Sequence, residues 1–400
     1  MQQRRAIAIF AAGHAFTDLN QGALPALLPF FVASYHFTYA QAAGLTFAAT
    51  IASSVVQPLF GSLADRVPAA WLIPAGVFGA GLGMSLLGLM PSYPMMLLVL
   101  IISGLGVAAF HPEAARGMHA ASGRLKATSM SVFSMGGSAG FAVGPLLATA
   151  LMEAFGTRGT IALLAPALFI TLVILTQQRR WPKGALAQAH AHSHAPAAPA
   201  AGGELRTDDW RRFAILAAAL MFRSIFFFGF NIFLPLYWVN VLGRSAAEGG
   251  VALSVYLGLG LVGVLAGGRL ADRYGMRALM LWSNLLVCPF VLLFLAMGQL
   301  LPAVALLVVL GLVVAAPGST LVVMGQNYLP NHVGVASGVT IGLSVSAGGA
   351  VAPLLGRLAD TYGLQPALIG LGLLPILAAA LIWRLPRESR AAPQPAAAEA

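Results

Sequence analysis

Apolar residues in this chain come in long blocks rather than in alternation. A helix needs about 20 apolar residues to cross a bilayer. Twelve such runs can be drawn, at 6–33, 39–63, 70–90, 95–118, 127–152 and 159–177, then at 211–240, 246–271, 276–298, 302–326, 333–356 and 365–384. The pattern predicts an all-α membrane protein with twelve transmembrane helices. Between the sixth and seventh runs it stops at "QQRRWPKGALAQAHAHSHAPAAPAAGGELRTDDWRR". Rich in Ala, Pro, Gly and His, this stretch reads as a flexible hydrophilic linker. The expected organisation is an N-terminal six-helix bundle (1–178), a linker (179–210), a C-terminal six-helix bundle (211–386) and a tail (387–400). His190, His192 and His194 alternate within the linker and read as part of the tether, not as a metal site.

The two halves repeat. "GSLADR" at Gly61–Arg66 returns as "GRLADR" at Gly268–Arg273, and "GLGVAA" at Gly104–Ala109 returns as "GLVVAA" at Gly311–Ala316, both shifted by 207. "SAGFAVGPLL" at Ser138–Leu147 returns as "SAGGAVAPLL" at Ser346–Leu355, shifted by 208. Three matches in order argue for a duplication, and so for two pseudo-symmetric bundles with the same sense in the membrane.

Composition supports the membrane reading. Charged residues make up 8% of the 400, hydrophobic residues 59%, and the mean hydropathy is +0.85; a soluble domain carries about 25% charged residues. The net charge of +10 does not imply nucleic acid, because the cations are scattered over short loops. They read instead as topology signals. With the N-terminus inside, seventeen of the 22 Lys and Arg fall on the cytoplasmic side and Arg158, Arg244 and Arg357 fall outside. Both termini and the linker are therefore expected in the cytoplasm. "MQQRRAIAIF" runs into the first span without a small-residue cleavage site, so no cleaved leader is expected. The single cysteine, Cys288, excludes an internal disulfide framework.

Candidate chemistry lies where polar residues enter the spans. Asp18 and Glu113 are the acids that fall among intramembrane polar clusters. An ionisable group in hydrocarbon costs roughly 2.5–3.5 kcal/mol, so it normally faces a partner or a wet cavity. His14, Asp18 and Gln21 are spaced four and three apart and share one face of the first helix. Asp18 lies ~18 Å along that helix from Ala6, close to the midplane. Burial favours its neutral form and a nearby cation its charged form, as proton coupling requires. A plain interhelical hydrogen bond is the alternative. In "FHPEAARGM", Glu113 and Arg116 can pair along the fourth helix, while His111 points elsewhere around the axis. That pair can couple protons, bind substrate or act as a structural part of the inner gate. Arg223, about twelve residues into the seventh helix, is expected to face a cavity, and the Phe226–Phe228 run to serve packing or lipid contact.

Three stretches carry a family resemblance. "GSLADRVPAAWLI" and "GGRLADRYGMRALM" resemble the loop signature of the major facilitator superfamily after the second and eighth helices. By that resemblance Gly61, Asp65 and Arg66, with Gly268, Asp272 and Arg273, form a cytoplasmic latch that breaks as the halves rock. The first copy lacks the usual downstream basic residues. "GFAVGP", with Gly140, Gly144 and Pro145, resembles the antiporter motif of drug-exporting members. The Arg that those exporters carry before the G-x-G of helix 4 is Leu100 here. "GHAFTDLNQGALPALLPFF" with "AFHPEAARGM" resembles the fosmidomycin-resistance branch, inner-membrane exporters that expel a phosphonate antibiotic in exchange for protons.

The resemblance implies a monomeric proton antiporter of the bacterial inner membrane, exporting a small anion by alternating access. Asp18 and Glu113 would carry the proton, and His14, Gln21, His111, Arg116 and Arg223 would bind substrate. No cofactor or metal is expected. No catalytic nucleophile or P-loop appears, which disfavours an enzyme or an ATP-driven pump. The rivals are an organic-anion or sugar–proton symporter of the same superfamily and a sensor that no longer transports.

Overall fold

The computed structural model describes residues 2–66, 69–122, 126–178, 207–297, 299–332, 335–336 and 338–387. The linker called at 179–210 lies outside them up to residue 206, as does the tail beyond 387. Among the described residues every element is helical: α1 (Gln2–Tyr35), α2 (Tyr39–Arg66), α3 (Leu72–Leu86), α4 (Tyr93–Ala121), α5 (Lys126–Phe155) and α6 (Leu164–Gln178), then α7 (Trp210–Asn240), α8 (Ala246–Tyr274), α9 (Met276–Ala296), α10 (Leu300–Ala315), α11 (Gly318–Tyr328), α12 (Ser344–Tyr362) and α13 (Leu364–Trp383). Two six-span bundles result, because α10 and α11 together make one membrane crossing. Nine stretches among the described residues are long and apolar enough to cross a membrane. One of the nine covers both α5 and α6, and α1 and α12 fall outside the count. These two are the helices that dilute their apolar residues with His14, Asp18, Asn20 and Gln21, or with Ser, Gly and Asp360.

Local signals set several helix ends. The Ser245 hydroxyl accepts from the Glu248 amide and the Glu248 carboxylate accepts from the Ser245 amide, a reciprocal cap that starts α8. Asp209 caps α7 by accepting from the Arg212 amide at 2.9 Å. Gly275, at φ 91°, joins α8 to α9 in one residue, a backbone region that L side chains rarely adopt. The tenth crossing, read from sequence as one helix, is broken between Ala315 and Gly318. Pro317 has no N–H to return to the Val313 carbonyl. The Ser283 hydroxyl donates to that carbonyl instead, at 2.6 Å.

Within each half, helices approach closely over glycine. A methyl at Gly140 or Gly144 would run into the carbonyls of Ala15 and Leu19, so α5 lies directly on the backbone of α1. The duplication is visible in such contacts. Gly104 packs on the Ala49 carbonyl and Gly311 on that of Tyr256; both members shift by 207, from 104 to 311 and from 49 to 256.

The two halves meet at the end where α1 finishes, the far end. There the Tyr39 and Ala40 amides, in the first turn of α2, donate to Asp360 of α12 at 2.7 and 3.0 Å. Deeper along the same helix pair Gly349 rests on Thr50, and Gly250 of α8 rests on Thr149 of α5. Towards the near end, where α1 begins, α2 and α12 diverge. Gly61 and Gly338 line open space there, and among the described residues nothing lies within 4 Å of a methyl built on Gly268. The molecule is closed at the far end and open at the near one.

Candidate functional site

The divergence leaves a cavity of about 840 Å³ between the halves. The face shared by His14, Asp18 and Gln21 on α1 forms part of its wall, and α4 adds His111. The His14 Nε2 lies 3.1 Å from Asp18 Oδ2, the His111 Nε2 3.3 Å from Asp18 Oδ1, and the two Nε2 atoms 3.2 Å from each other. Gln21 donates to Asp18 Oδ1 at 3.3 Å. Three residues that sequence spacing put on two separate helices thus converge on one point.

What surrounds the two rings fixes their chemistry. The Nδ1 of His14 is 2.8 Å from the Phe133 carbonyl and that of His111 is 2.9 Å from the Val107 carbonyl. A carbonyl only accepts, so each Nδ1 carries a hydrogen. In the neutral rings both Nε2 atoms are then lone pairs, aimed at each other and at a carboxylate. Such a cluster coheres only when positive charge is added at its centre. Phe133 stacks on His14 with centroids 4.1 Å apart and holds the ring in place. Gly137 closes the other side; a methyl there would lie 2.5 Å from His14 Nε2 and 2.7 Å from Asp18 Oδ2. Among the described residues these three are the group whose ligand atoms, within 4.8 Å of one another, could hold a cation.

The opposite wall comes from the second half. Arg223 of α7 lines the cavity and donates to the Val314 carbonyl, just before the break between α10 and α11. Tyr256 of α8 lines the same cavity. The residue is 2% exposed and its hydroxyl is buried, without a hydrogen-bond partner among the described residues. Sequence reading missed Tyr256, which looks like any aromatic in an apolar run. The Phe run divides: Phe226 is buried packing, but Phe227 and Phe228 line the cavity.

The remaining candidates lie elsewhere. Glu113 is fully buried and its Oε2 is 3.3 Å from Arg116 Nη1, as the spacing of three predicts. Neither is among the residues lining the cavity, because the helix turns them away from the face that carries His111. Gly61 lies at the cavity mouth. Asp65 and Arg66 end α2, and their side chains lie outside the described residues. Asp272 and Arg273 are exposed at the near end, with Arg273 over the Tyr274 ring. Neither is in an ion pair among the described residues. Gly140, Gly144 and Pro145 belong to the α1–α5 seam.

Residues 10–353 match the family model described as Major Facilitator Superfamily. An uncharacterized MFS-type transporter, YfnC of Bacillus subtilis (strain 168), is 29% identical over 379 residues, covering 94% of this chain and 91% of that protein. The fosmidomycin resistance protein of Escherichia coli (strain K12) is 28% identical over 365 residues, covering 91% and 88%. In fold the chain is similar to a bacterial homologue of the human lysosomal transporter Spinster in an inward-facing, occupied conformation. There the TM-score is 0.78 at 14% identity, over 94% of this chain and 95% of that one. It is also similar to the nucleoside transporter NupG, with a TM-score of 0.69 at 15% identity over 95% and 100%.

Proposed function

The chain belongs to the major facilitator superfamily of membrane transporters, and from that premise we propose that it exports a small anionic drug of the fosmidomycin kind in exchange for protons. The observation that carries this reading is the pairing of unlike chemistry across one cavity. A carboxylate and two imidazoles stand on the first half, and a guanidinium stands on the second.

Each wall supplies one task. Arg223 offers a planar fork for phosphate-like oxygens. The Asp18 cluster takes the proton. A proton on either Nε2 converts a meeting of three acceptors into an ion pair with the carboxylate, and its departure restores the repulsion. A protonated His14 or His111 also attracts an anion, and Gln21 steadies Asp18. Glu113 and Arg116, paired off the cavity, are assigned to pinning α4 and not to carrying the proton or the drug.

The cycle is alternating access. The near end, cytoplasmic by the distribution of Lys and Arg, admits the anion while the far end is sealed by Asp360. Rocking about the α2–α12 and α5–α8 contacts then opens the far end and brings Gly61, Asp65, Gly268 and Asp272 together. The protein so placed lies in the bacterial inner membrane, with both termini in the cytoplasm.

One observation favours the rival reading of symport: a proton on the cluster makes the cavity more positive, so proton and anion attract each other. Proteoliposomes with an internal pH dye separate the two. Fosmidomycin added to one side should drive protons in the opposite sense. Proton flow in the same sense as the drug would establish symport instead, and no drug-dependent flow would remove the anion-transport reading.

A further inference from the structure

The Asp18 cluster has the shape of a site for something larger than a proton. His14 Nε2, His111 Nε2 and the Asp18 carboxylate form a nearly equilateral triangle, with edges of 3.1, 3.2 and 3.3 Å. The carboxylate turns a different oxygen to each ring. A proton on one Nε2 occupies one edge and leaves the lone pair of the other ring facing the carboxylate. A single ion at the centre engages all three corners. Around Zn²⁺, with bonds of about 2.0–2.1 Å in a tetrahedron, neighbouring ligand atoms stand about 3.3–3.4 Å apart, close to the spacing of this triangle. Each ligand also has the outer support that such a site uses. Both Nδ1 atoms donate to backbone carbonyls, which fixes the tautomer that leaves Nε2 free to ligate, and Gln21 donates to Asp18 Oδ1. The side chains of His14, Asp18 and His111 line the open cavity and are 12%, 11% and 20% exposed, so an ion reaches them from the near end.

We propose that His14, Asp18 and His111 form a three-ligand site for a transition-metal dication of the Zn²⁺ class, with its fourth coordination position open to the cavity. Two imidazoles and one carboxylate select such an ion over Mg²⁺ or Ca²⁺, which take oxygen ligands. Spacing within α1 does not announce the site, because the third ligand lies 97 residues beyond His14. Binding itself needs no transport reading. Its consequence rests on the proton-exchange reading: an ion held on both Nε2 lone pairs keeps the proton off them, and coupled transport stops.

Calorimetric titration of the full chain with ZnCl₂ tests the site. His190, His192 and His194 of the linker are changed to Ala for this purpose, since a His-rich tract can bind metal by itself. One Zn²⁺ per chain should bind, on the order of 100-fold more tightly than Mg²⁺. His111→Ala should weaken Zn²⁺ by about 100-fold or more, and Gln21→Leu, which removes only the bond to the carboxylate, by about tenfold. Zn²⁺ and Mg²⁺ bound alike, or no Zn²⁺ bound at all, overturns the site with the cluster intact, where folding of a variant is not in question. An affinity unchanged in His111→Ala overturns it as well. In proteoliposomes, Zn²⁺ on both faces should stop fosmidomycin-driven proton flow. Stoichiometric binding that leaves the flow intact upholds the site and removes the proton from the cluster. No flow even without Zn²⁺ brings down the transport reading and leaves the binding result standing.

Discussion

The two halves are copies in framework and strangers in chemistry. The shift of 209 that carries Ala15, under Gly140, to Ser224, under Gly348, also carries His14 to Arg223 and Asp18 to Phe227. The shift of 207 that carries Gly104 to Gly311 carries His111 to Gly318. The glycine-on-carbonyl contacts of Gly104 and Gly140 recur at Gly311 and Gly348, whereas Gly144 is replaced by Ala352 in the second half. Positions facing the cavity were free to differ. One half came to hold an ionisable cluster and the other a fixed cation.

The comparison breaks most visibly at the first half. Asp18→Asn should lower proton-coupled flux by on the order of 100-fold, since removing one partner of a buried charge cluster costs roughly 2–5 kcal/mol. Substrate exchange without a pH gradient, measured on the same vesicles, should persist. At the second half, Arg223→Gln should raise the KM for a phosphonate about 10- to 100-fold, with Arg223→Lys between it and wild type, because Lys keeps the charge but not the fork. If Arg223→Gln instead stopped proton movement and left KM alone, the two walls would have to exchange roles.

The shared framework is tested by stability. Gly140→Val should force α5 off α1 and cost about 1–3 kcal/mol, seen as a lower melting temperature in detergent. Asp360→Ala removes two hydrogen bonds that exist only when the far end is shut. A helix cap contributes ~1 kcal/mol, so the ratio of shut to open molecules should fall about fivefold, read by distance measurements between spin labels on α2 and α12.

The smallest effect is outside the membrane. Burial works upward on the Asp208 carboxyl, but the Asn331 amide and His332 outweigh it and hold the group below its ordinary value of 3.8. The ionised form is thus favoured by folding. Its contribution is present above about pH 4 and is lost as pH falls through the lowered value. The melting difference between wild type and Asp208→Asn should shrink accordingly on acidification.

The fold was legible because twelve apolar runs and an internal repeat leave few alternatives. The broken tenth crossing was not: its apolar run continues across Pro317, whose missing N–H interrupts the helix without interrupting the hydropathy. On α1, spacings of four and three gave the shared face of His14, Asp18 and Gln21. That His111 would meet them depends on how α4 packs on α1, which spacing within one helix does not encode. At the end of α4 the spacing already set His111 apart from the Glu113–Arg116 pair, and the helix turn sends His111 into the cavity and the pair away from it. Tyr256 stayed hidden because an uncharged polar residue in a spanning run raises no alarm. Only the cavity wall singles it out.

The seal at the far end has an unusual genetic profile. Its donors are peptide N–H groups, which nearly every residue supplies, while both acceptors belong to one side chain. Changes at Tyr39 or Ala40 leave the donors in place unless they introduce proline, whereas most changes at Asp360 remove both bonds together. Inherited variation in the resting bias of this carrier should therefore gather at one codon of the second half, with the partner positions in the first half drifting unnoticed.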